Sequence, residues 1–152
     1  MEKSALQIAR AAYQPKLPAG LRGNVKIVEG APTQSVDNQE EIKALFPNTY
    51  GMPLVNFEPT DEKKEYAPIN IGIILSGGQA PGGHNVICGL YDGLKKQNPN
   101  SKLYGFLMGP GGLVDHNYLE MTDELIDEYR NTGGFDMIGS GRTKLEEEAQ
   151  FE

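Results

Sequence analysis

Residues 69–85 of the chain, INIGIILSGGQAPGGHN, decide how it folds. They open with a β-branched run between Pro68 and the turn Ser76-Gly77-Gly78, a pattern that is typical of a buried parallel strand. Apolar residues then recur at helical spacing from Val86 to Leu94, which predicts a helix that ends at Asn98-Pro99. A strand, a glycine-rich turn and a helix in this order indicate an α/β domain.

The segments that follow repeat this alternation of strands and helices. Lys102–Leu107 is predicted to form a second strand and Phe135–Ile138 a third, with a turn at Gly109–Gly112. Thr122 is predicted to cap the helix between these strands, which Gly133-Gly134 would end. The alternation implies right-handed crossovers and a parallel sheet, with ligands at the carboxyl ends of the strands.

Residues 1–68 are expected to form an amino-terminal extension that is irregular and partly helical. Their apolar pieces are too short to form a core alone, so we expect the extension to pack against other structure. Residues 69–152 are then expected to form the α/β domain. The elements expected in the extension are a helix from the capping box Ser4/Gln7 to Tyr13, a strand at Val25–Val28, a helix at Gln39–Phe46 and a mostly irregular stretch at Tyr50–Pro68.

The composition restricts the class of protein. The 152 residues carry a net charge of −7 and a single cysteine, Cys88. A nucleic-acid partner is disfavoured because it would need a basic face, and the lone cysteine excludes an internal disulfide and fits a reducing compartment. No stretch approaches the roughly 18 apolar residues of a membrane span. We therefore expect a cytoplasmic protein without a nucleic-acid or membrane partner.

The loop after the first predicted strand is the main candidate for a binding site. It lies where a parallel sheet and the start of a helix present free amides and a helix dipole, which favour anions. It is not a P-loop, because Gly83 and His84 stand where Lys and Ser or Thr are needed, nor a dinucleotide fingerprint, because its glycines come in adjacent pairs. The alternative is a tight turn without a ligand. The loop residues that we expect to bind a phosphoryl donor are Gly77, Gly78, Gln79, Gly82 and Gly83.

Two cations follow the third predicted strand and would reach the same edge of the sheet. Arg142 can contact two phosphate oxygens at once, and Lys144 adds a second positive charge. The alternative is that both side chains pair with Glu146–Glu148 at a solvated strand end. Their convergence with the glycine loop favours a phosphoryl-transfer site, because that chemistry needs positioning and charge neutralisation. His84 is expected to be a neutral, hydrogen-bonding imidazole, and no cluster of His and Cys residues has metal-ligand spacing.

Several motifs resemble the long, pyrophosphate-dependent type of phosphofructokinase. Residues 71–85, IGIILSGGQAPGGHN, closely resemble the first phosphate loop of that family, with its Gln and its Gly-Gly-His-Asn ending. The likeness continues through YRNTGGFDMI at residues 129–138 and SGRTK at residues 140–144. In the first half, YQPKLP at residues 13–18 and LFPNTYG at residues 45–51 resemble the family's amino-terminal extension. Nearly the whole chain is covered, and it resembles an amino-terminal fragment.

This resemblance implies a fold and an activity. The chain would begin a three-layer, Rossmann-like phosphofructokinase domain, in which the amide of Gly77 contacts the phosphoryl donor and Arg142, with Lys144 nearby, reaches its phosphates. The full glycolytic enzyme would transfer a phosphoryl group from pyrophosphate to the 1-hydroxyl of fructose 6-phosphate, reversibly and with Mg²⁺, as a homo-oligomer. The catalytic base and the Mg²⁺ ligands are expected downstream. This segment would therefore contain no catalytic residue and would need the remainder of the enzyme or a sister subunit.

Three alternatives stay open at this point. An ATP-dependent phosphofructokinase of the same family would use the same loop, because the segment that helps to select the donor would lie downstream. The chain could instead be a phosphate- or nucleotide-binding module without turnover. It could also be a truncated product that binds no ligand and folds only by association.

Overall fold

The computed structural model describes residues 3–18, 20 and 22–151 of the chain. The chain divides into two compact units, one formed by Met1–Gln14 with Glu65–Glu152 and the other by Pro15–Lys64. The boundary predicted between residues 68 and 69 stays a prediction. The elements in chain order are α1 (Ala5–Ala12), β1 (Asn24–Pro32), α2 (Gln39–Leu45), β2 (Pro53–Thr60), β3 (Asn70–Ile73), α3 (Gly83–Gln97), β4 (Lys102–Phe106), α4 (Pro110–Val114), β5 (Tyr118–Glu120), α5 (Asp123–Tyr129) and a 3₁₀ turn (Glu148–Gln150).

A three-stranded sheet forms the centre of the unit that contains Glu65–Glu152. β3 lies parallel to β4, with Ile71 opposite Leu103, and α3 connects the two strands. β5 lies on the other side of β4 and runs antiparallel to it. The connection between β4 and β5 contains only the five-residue α4, which is too short for a crossover to a parallel strand. The α/β fold class is confirmed, and the expectation of a purely parallel sheet is wrong.

The third predicted strand, Phe135–Ile138, does not form a strand. The carbonyl of Ile138 accepts one hydrogen bond from the amide of Met108 (2.8 Å), and Gly141 forms an isolated parallel bridge with Ser76. Between these two contacts Gly139 has a φ of +65°, which turns the chain before a continuous ladder can form. The segment therefore contacts the residues that follow β3 and β4 without extending the sheet.

Two helix boundaries also differ from the sequence expectation. Gly109–Gly112, expected to be a turn, lies mostly within α4, where Pro110 occupies the first turn. α5 begins as predicted, because the side chain of Thr122 accepts a hydrogen bond from the amide of Leu125. It ends at Tyr129, before Gly133-Gly134, because Arg130 leaves the helical conformation with a ψ of 125°.

The core of this unit lies between α3, α5 and one face of the sheet. Its buried residues come from these elements, from the link between β5 and α5, and from the segment after α5. They are Ile87, Cys88, Tyr91, Leu94, Leu103, Met121, Ile126, Met137 and Ile138. The predicted capping box of α1 is confirmed, with Ser4 and Gln7 bonded reciprocally. α1 is joined to this unit by the side-chain amide of Asn131, which donates to the carbonyls of Arg10 and Tyr13.

The unit Pro15–Lys64 contains a two-stranded antiparallel ribbon and the short helix α2. β1 pairs with β2, with Ile27 opposite Phe57, so the strand predicted at Val25–Val28 is confirmed. The expected irregular structure at Tyr50–Pro68 is wrong for Pro53–Thr60, because that strand depends on a partner that is distant in sequence. None of the described residues of this unit is buried. Across the described part of the whole chain, no helix has the length and apolar character needed to cross a membrane.

Candidate anion-binding site

The glycine loop after β3 is fixed to the segment that carries Arg142. The amide of Gly77 donates to the carbonyl of Gly141 (2.9 Å), and the amide of Gly141 contacts the carbonyl of Leu75 (3.4 Å). These contacts give the parallel bridge between Ser76 and Gly141. The sequence prediction that the two segments converge at one edge of the sheet is therefore confirmed.

The guanidinium of Arg142 lies directly against Gly78. A Cβ built on Gly78 would be 2.9 Å from Nη2 of Arg142, so the missing side chain makes room for the cation. Arg142 is exposed, and among the described residues no carboxylate forms an ion pair with it. The same part of the chain provides no hydrogen-bond partner for the amides of Gly78 and Gln79. A fork of guanidinium donors and two available amides can bind an anion.

Gly77 contributes backbone geometry to this site. Its φ of +100° lies in the region that favours glycine, and open space surrounds the position of a Cβ. Its amide, which the family resemblance assigns to the phosphoryl donor, is already bonded to Gly141. Replacing Gly77 with alanine would therefore strain the backbone first, and would make a poor probe of ligand binding.

Gly82 and Gly83 serve mainly to pack the start of α3. Gly82 has a φ of +98°, and its amide donates to the carbonyl of Gly133 (2.8 Å). A Cβ on Gly83 would collide with the ring of Phe135, so only glycine fits there. The amide of His84 donates to the carbonyl of Gly134 (2.9 Å). The carbonyls of residues 133–134 thus accept hydrogen bonds from amides that the sequence pattern predicted to be free to bind an anion.

Lys144 points to a different environment from that of Arg142. Its ammonium is 3.5 Å from the carboxylate of Glu146, and its side chain is 81% exposed. This is the solvated pairing that the sequence left as the alternative for both cations. The geometry brings together Gly77, Gly78, Gln79 and Arg142, and leaves Lys144 outside that group.

A third loop, missed from the sequence, adjoins the site. Met108 and Gly109 follow β4, and both have positive φ values, +59° and +77°. Gly109 passes so close to Gly141 that an added Cβ would lie 2.5 Å from the Gly141 nitrogen. The sequence could have indicated this loop, because the loop follows a strand that lies parallel to β3 and therefore reaches the same edge of the sheet.

His84 is the neutral, hydrogen-bonding imidazole that the sequence predicts. It is 2% exposed, and both ring nitrogens have hydrogen-bond partners. Burial lowers the pKa of His84, and this effect outweighs the nearby carboxylate of Asp136, which raises it. The imidazole lies in the first turn of α3, immediately after the glycine loop.

No group of three or more His, Cys, Asp or Glu side chains among the described residues is arranged to bind a metal ion. The residues around Arg142 and the glycine loop are glycines, an amide and hydroxyls. Mg²⁺ prefers carboxylate oxygens, so these residues alone do not fit that ion.

Comparison with known proteins places the chain in an enzyme family. No family model matches it. It is 65% identical over 152 residues to pyrophosphate–fructose 6-phosphate 1-phosphotransferase of Porphyromonas gingivalis, covering the whole chain and 28% of that protein. The protein of the same name from Entamoeba histolytica is 51% identical over 153 residues, covering 99% of the chain and 28% of the relative.

A plant relative extends the comparison. Subunit beta 2 of the same phosphotransferase from Arabidopsis thaliana is 45% identical over 150 residues, covering 97% of the chain and 26% of the relative. The chain thus spans little more than a quarter of the length of these curated relatives. From its similarity over almost all of its residues, the chain belongs to the pyrophosphate–fructose 6-phosphate 1-phosphotransferase family and corresponds to a part of such a protein.

Proposed function

We propose that the complete protein transfers a phosphoryl group between pyrophosphate and the 1-hydroxyl of fructose 6-phosphate, reversibly, and that this segment binds the phosphoryl donor. The family comparison supports the reaction. The observation that carries the role of this segment is the guanidinium of Arg142 against Gly78, beside two amides without a hydrogen-bond partner in the described structure. Phosphoryl transfer depends on positioning and charge neutralisation, which such groups provide.

Each residue of the site has a defined role in this proposal. Arg142 donates two parallel hydrogen bonds to oxygens of the pyrophosphate and neutralises part of its charge. The amides of Gly78 and Gln79 donate to a further oxygen. The bond between Gly77 and Gly141 keeps the loop and the arginine in register, so the donor meets a preorganised site.

The rest of the machinery lies outside this segment. When bound, Mg²⁺ would supply positive charge to the phosphate groups, and we propose that its ligands belong to other parts of the protein. The base that accepts the proton of the sugar hydroxyl is likewise proposed to lie downstream, so we expect no phosphoryl transfer from the 152-residue chain alone. We further propose a cytoplasmic, oligomeric protein, in keeping with a free, buried Cys88 and with a relative that is named as a subunit.

The test is the substitution Arg142→Lys in the complete protein. Lysine keeps the charge but loses the planar fork, so kcat/KM for pyrophosphate should fall by roughly 10²- to 10³-fold, the cost of about 2–4 kcal/mol in the transition state. Arg130→Lys is the matched control, because Arg130 binds Asp92 and Asp127 away from the loop. It should lower the melting temperature and leave the kinetics unchanged.

Three results would contradict the proposal. Unchanged kinetics in Arg142→Lys would mean that the loop is only a turn between β3 and α3. Turnover with ATP and none with pyrophosphate would favour the ATP-dependent alternative. A wild-type protein that binds pyrophosphate without turnover would point to a binding module.

A further inference from the structure

His84 connects the start of α3 to the segment that leads to Arg142. The imidazole is 2% exposed. Its Nδ1 is 2.6 Å from Oγ1 of Thr132, and its Nε2 is 3.0 Å from the amide nitrogen of Met137. One side chain, anchored immediately after the glycine loop, therefore contacts two points of the segment that follows α5.

The surrounding hydrogen bonds determine which nitrogen carries the proton. The hydroxyl of Thr132 donates to the carbonyl of Tyr129 (2.6 Å), so it accepts the bond from Nδ1–H of His84. Nε2 then has a free lone pair, which accepts the amide proton of Met137. Both nitrogens of a neutral imidazole are satisfied in this way. A buried, fully bonded ring of this kind fixes the backbone that it contacts.

Packing around the ring leaves it little freedom. The ring of Tyr129 meets the imidazole edge-on, with centroids 4.7 Å apart. On the other side, a Cβ on Gly134 would be 2.6 Å from Cε1 of His84. The carboxylate of Asp136 lies 3.0 Å from Nε2 and is largely exposed. Asp136 and Tyr129 are thus the titratable groups that face the imidazole from the neighbouring segments.

We propose that His84 is a positioning residue for Arg142. The neutral imidazole fixes Met137, and residues 137–142 then run past Met108 and Gly77 to place the guanidinium against Gly78. This inference rests on the proposed function of Arg142. His84 itself does not contact the donor in this scheme, and acts only through the backbone that it bonds.

Two substitutions in the complete protein separate the two bonds of the imidazole. The amide of Asn ends near the position of Nδ1, so His84→Asn keeps the bond to Thr132 and loses the bond to Met137. The amide of Gln reaches the position of Nε2, so His84→Gln keeps an acceptor for Met137. We expect kcat/KM for pyrophosphate to fall by roughly 10²-fold in His84→Asn and to stay near wild type in His84→Gln.

A double-mutant cycle tests whether His84 acts through Arg142. In an Arg142→Ala background, His84→Asn should cause little further loss of kcat/KM, because the group that it positions is already absent. Losses that multiply in the double variant would overturn the proposal. A lower melting temperature with unchanged kinetics in His84→Asn would also overturn it, since that result is purely structural.

Hydrogen–deuterium exchange provides a readout that does not need turnover. In His84→Asn, peptides covering residues 137–142 should exchange faster than in wild type, and in His84→Gln they should exchange as in wild type. Unchanged exchange in His84→Asn would overturn the positioning role. If the wild-type protein does not use pyrophosphate but His84→Asn still exchanges faster over residues 137–142, the proposed function fails while the link from His84 to this segment stands.

Discussion

The two compact units of the chain differ in where their apolar side chains lie. Among its described residues, the unit containing Glu65–Glu152 buries nine hydrophobic side chains in one cluster. In the unit Pro15–Lys64, no described residue is buried, and large side chains such as Ile27, Leu54 and Phe57 are more than half exposed. A two-stranded ribbon is marginally stable by itself. The unit containing Glu65–Glu152 therefore has its own source of stability, whereas the ribbon buries little apolar surface and should contribute little to the free energy of unfolding.

The largest expected effect comes from truncating the core. Ile126 is 0% exposed, so Ile126→Ala in the complete protein should reduce the free energy of unfolding by about 2–5 kcal/mol. Phe57→Ala in the ribbon, where the ring is 61% exposed, should cost far less. Denaturant unfolding measures both variants. An equally large loss in Phe57→Ala would show that the ribbon face is buried in the complete protein, and would remove the contrast between the units.

Two glycines of α3 test how tightly this helix packs in the unit that contains Glu65–Glu152. Gly83→Ala places a methyl group into the ring of Phe135 and should cost about 1–3 kcal/mol. Gly89 has nothing within 4 Å of its Cβ position, so Gly89→Ala should stabilise the helix by about 0.5–1 kcal/mol. Melting temperatures of the two variants should move in opposite directions. A shift of the same sign in both would mean that α3 does not pack on the segment after α5 as described.

A smaller effect on the melting temperature is expected from pH, and only in the unit that contains Glu65–Glu152. Burial lowers the pKa of His84 below its ordinary value of 6.5. As the pH falls below about 6.5, the unfolded chain takes up a proton that the folded state resists, so stability falls. The melting temperature should therefore decrease between pH 7.5 and 5.5, and His84→Asn should reduce that slope. A slope that persists unchanged in His84→Asn would contradict its assignment to His84.

The smallest effect belongs to the ribbon. Lys26 and Glu58 are directly opposite on β1 and β2, with 3.5 Å between their charged atoms, and both side chains are about half exposed. Such surface pairs contribute about 0–1 kcal/mol, so Lys26→Ala should barely change the denaturation midpoint. Adding salt should remove whatever difference exists. A large, salt-resistant loss would indicate that this face of the ribbon is shielded from water in the complete protein.

Elements that depend on local chemistry were predictable from the sequence. The capping box at Ser4, the cap at Thr122 and the long helix after the glycine loop all follow from short-range patterns. The elements that were predicted wrongly depend on partners that are distant in sequence. β2 exists because β1 lies opposite, and Phe135–Ile138 fails to form a strand because Gly139 turns the chain between its two contacts.

The candidate site divides in the same way. The meeting of Gly78 and Arg142 could be predicted, because both follow segments that reach the same edge of the sheet. The sequence could not indicate that the backbone of residues 133–134 covers the start of α3 and occupies the amides of Gly82 and His84. It offered the pairing of Lys144 with Glu146 as an alternative, but could not decide between that pairing and a place beside Arg142. These outcomes depend on the path of the chain after α5, which no local motif specifies.

The close passage of Gly109 over Gly141 bears on how this site can diverge in evolution. The spacing of the two loops is set by main chain against main chain, with no side chain between them. The exposed side chains of Gln79 and Met108 take no part in that spacing. Related proteins can therefore vary those side chains, and under the proposed function the preference for one phosphoryl donor over another would vary with them, while the backbone frame stays constant. The two glycines are the positions at which such variation stops, because any other residue would push the loops apart.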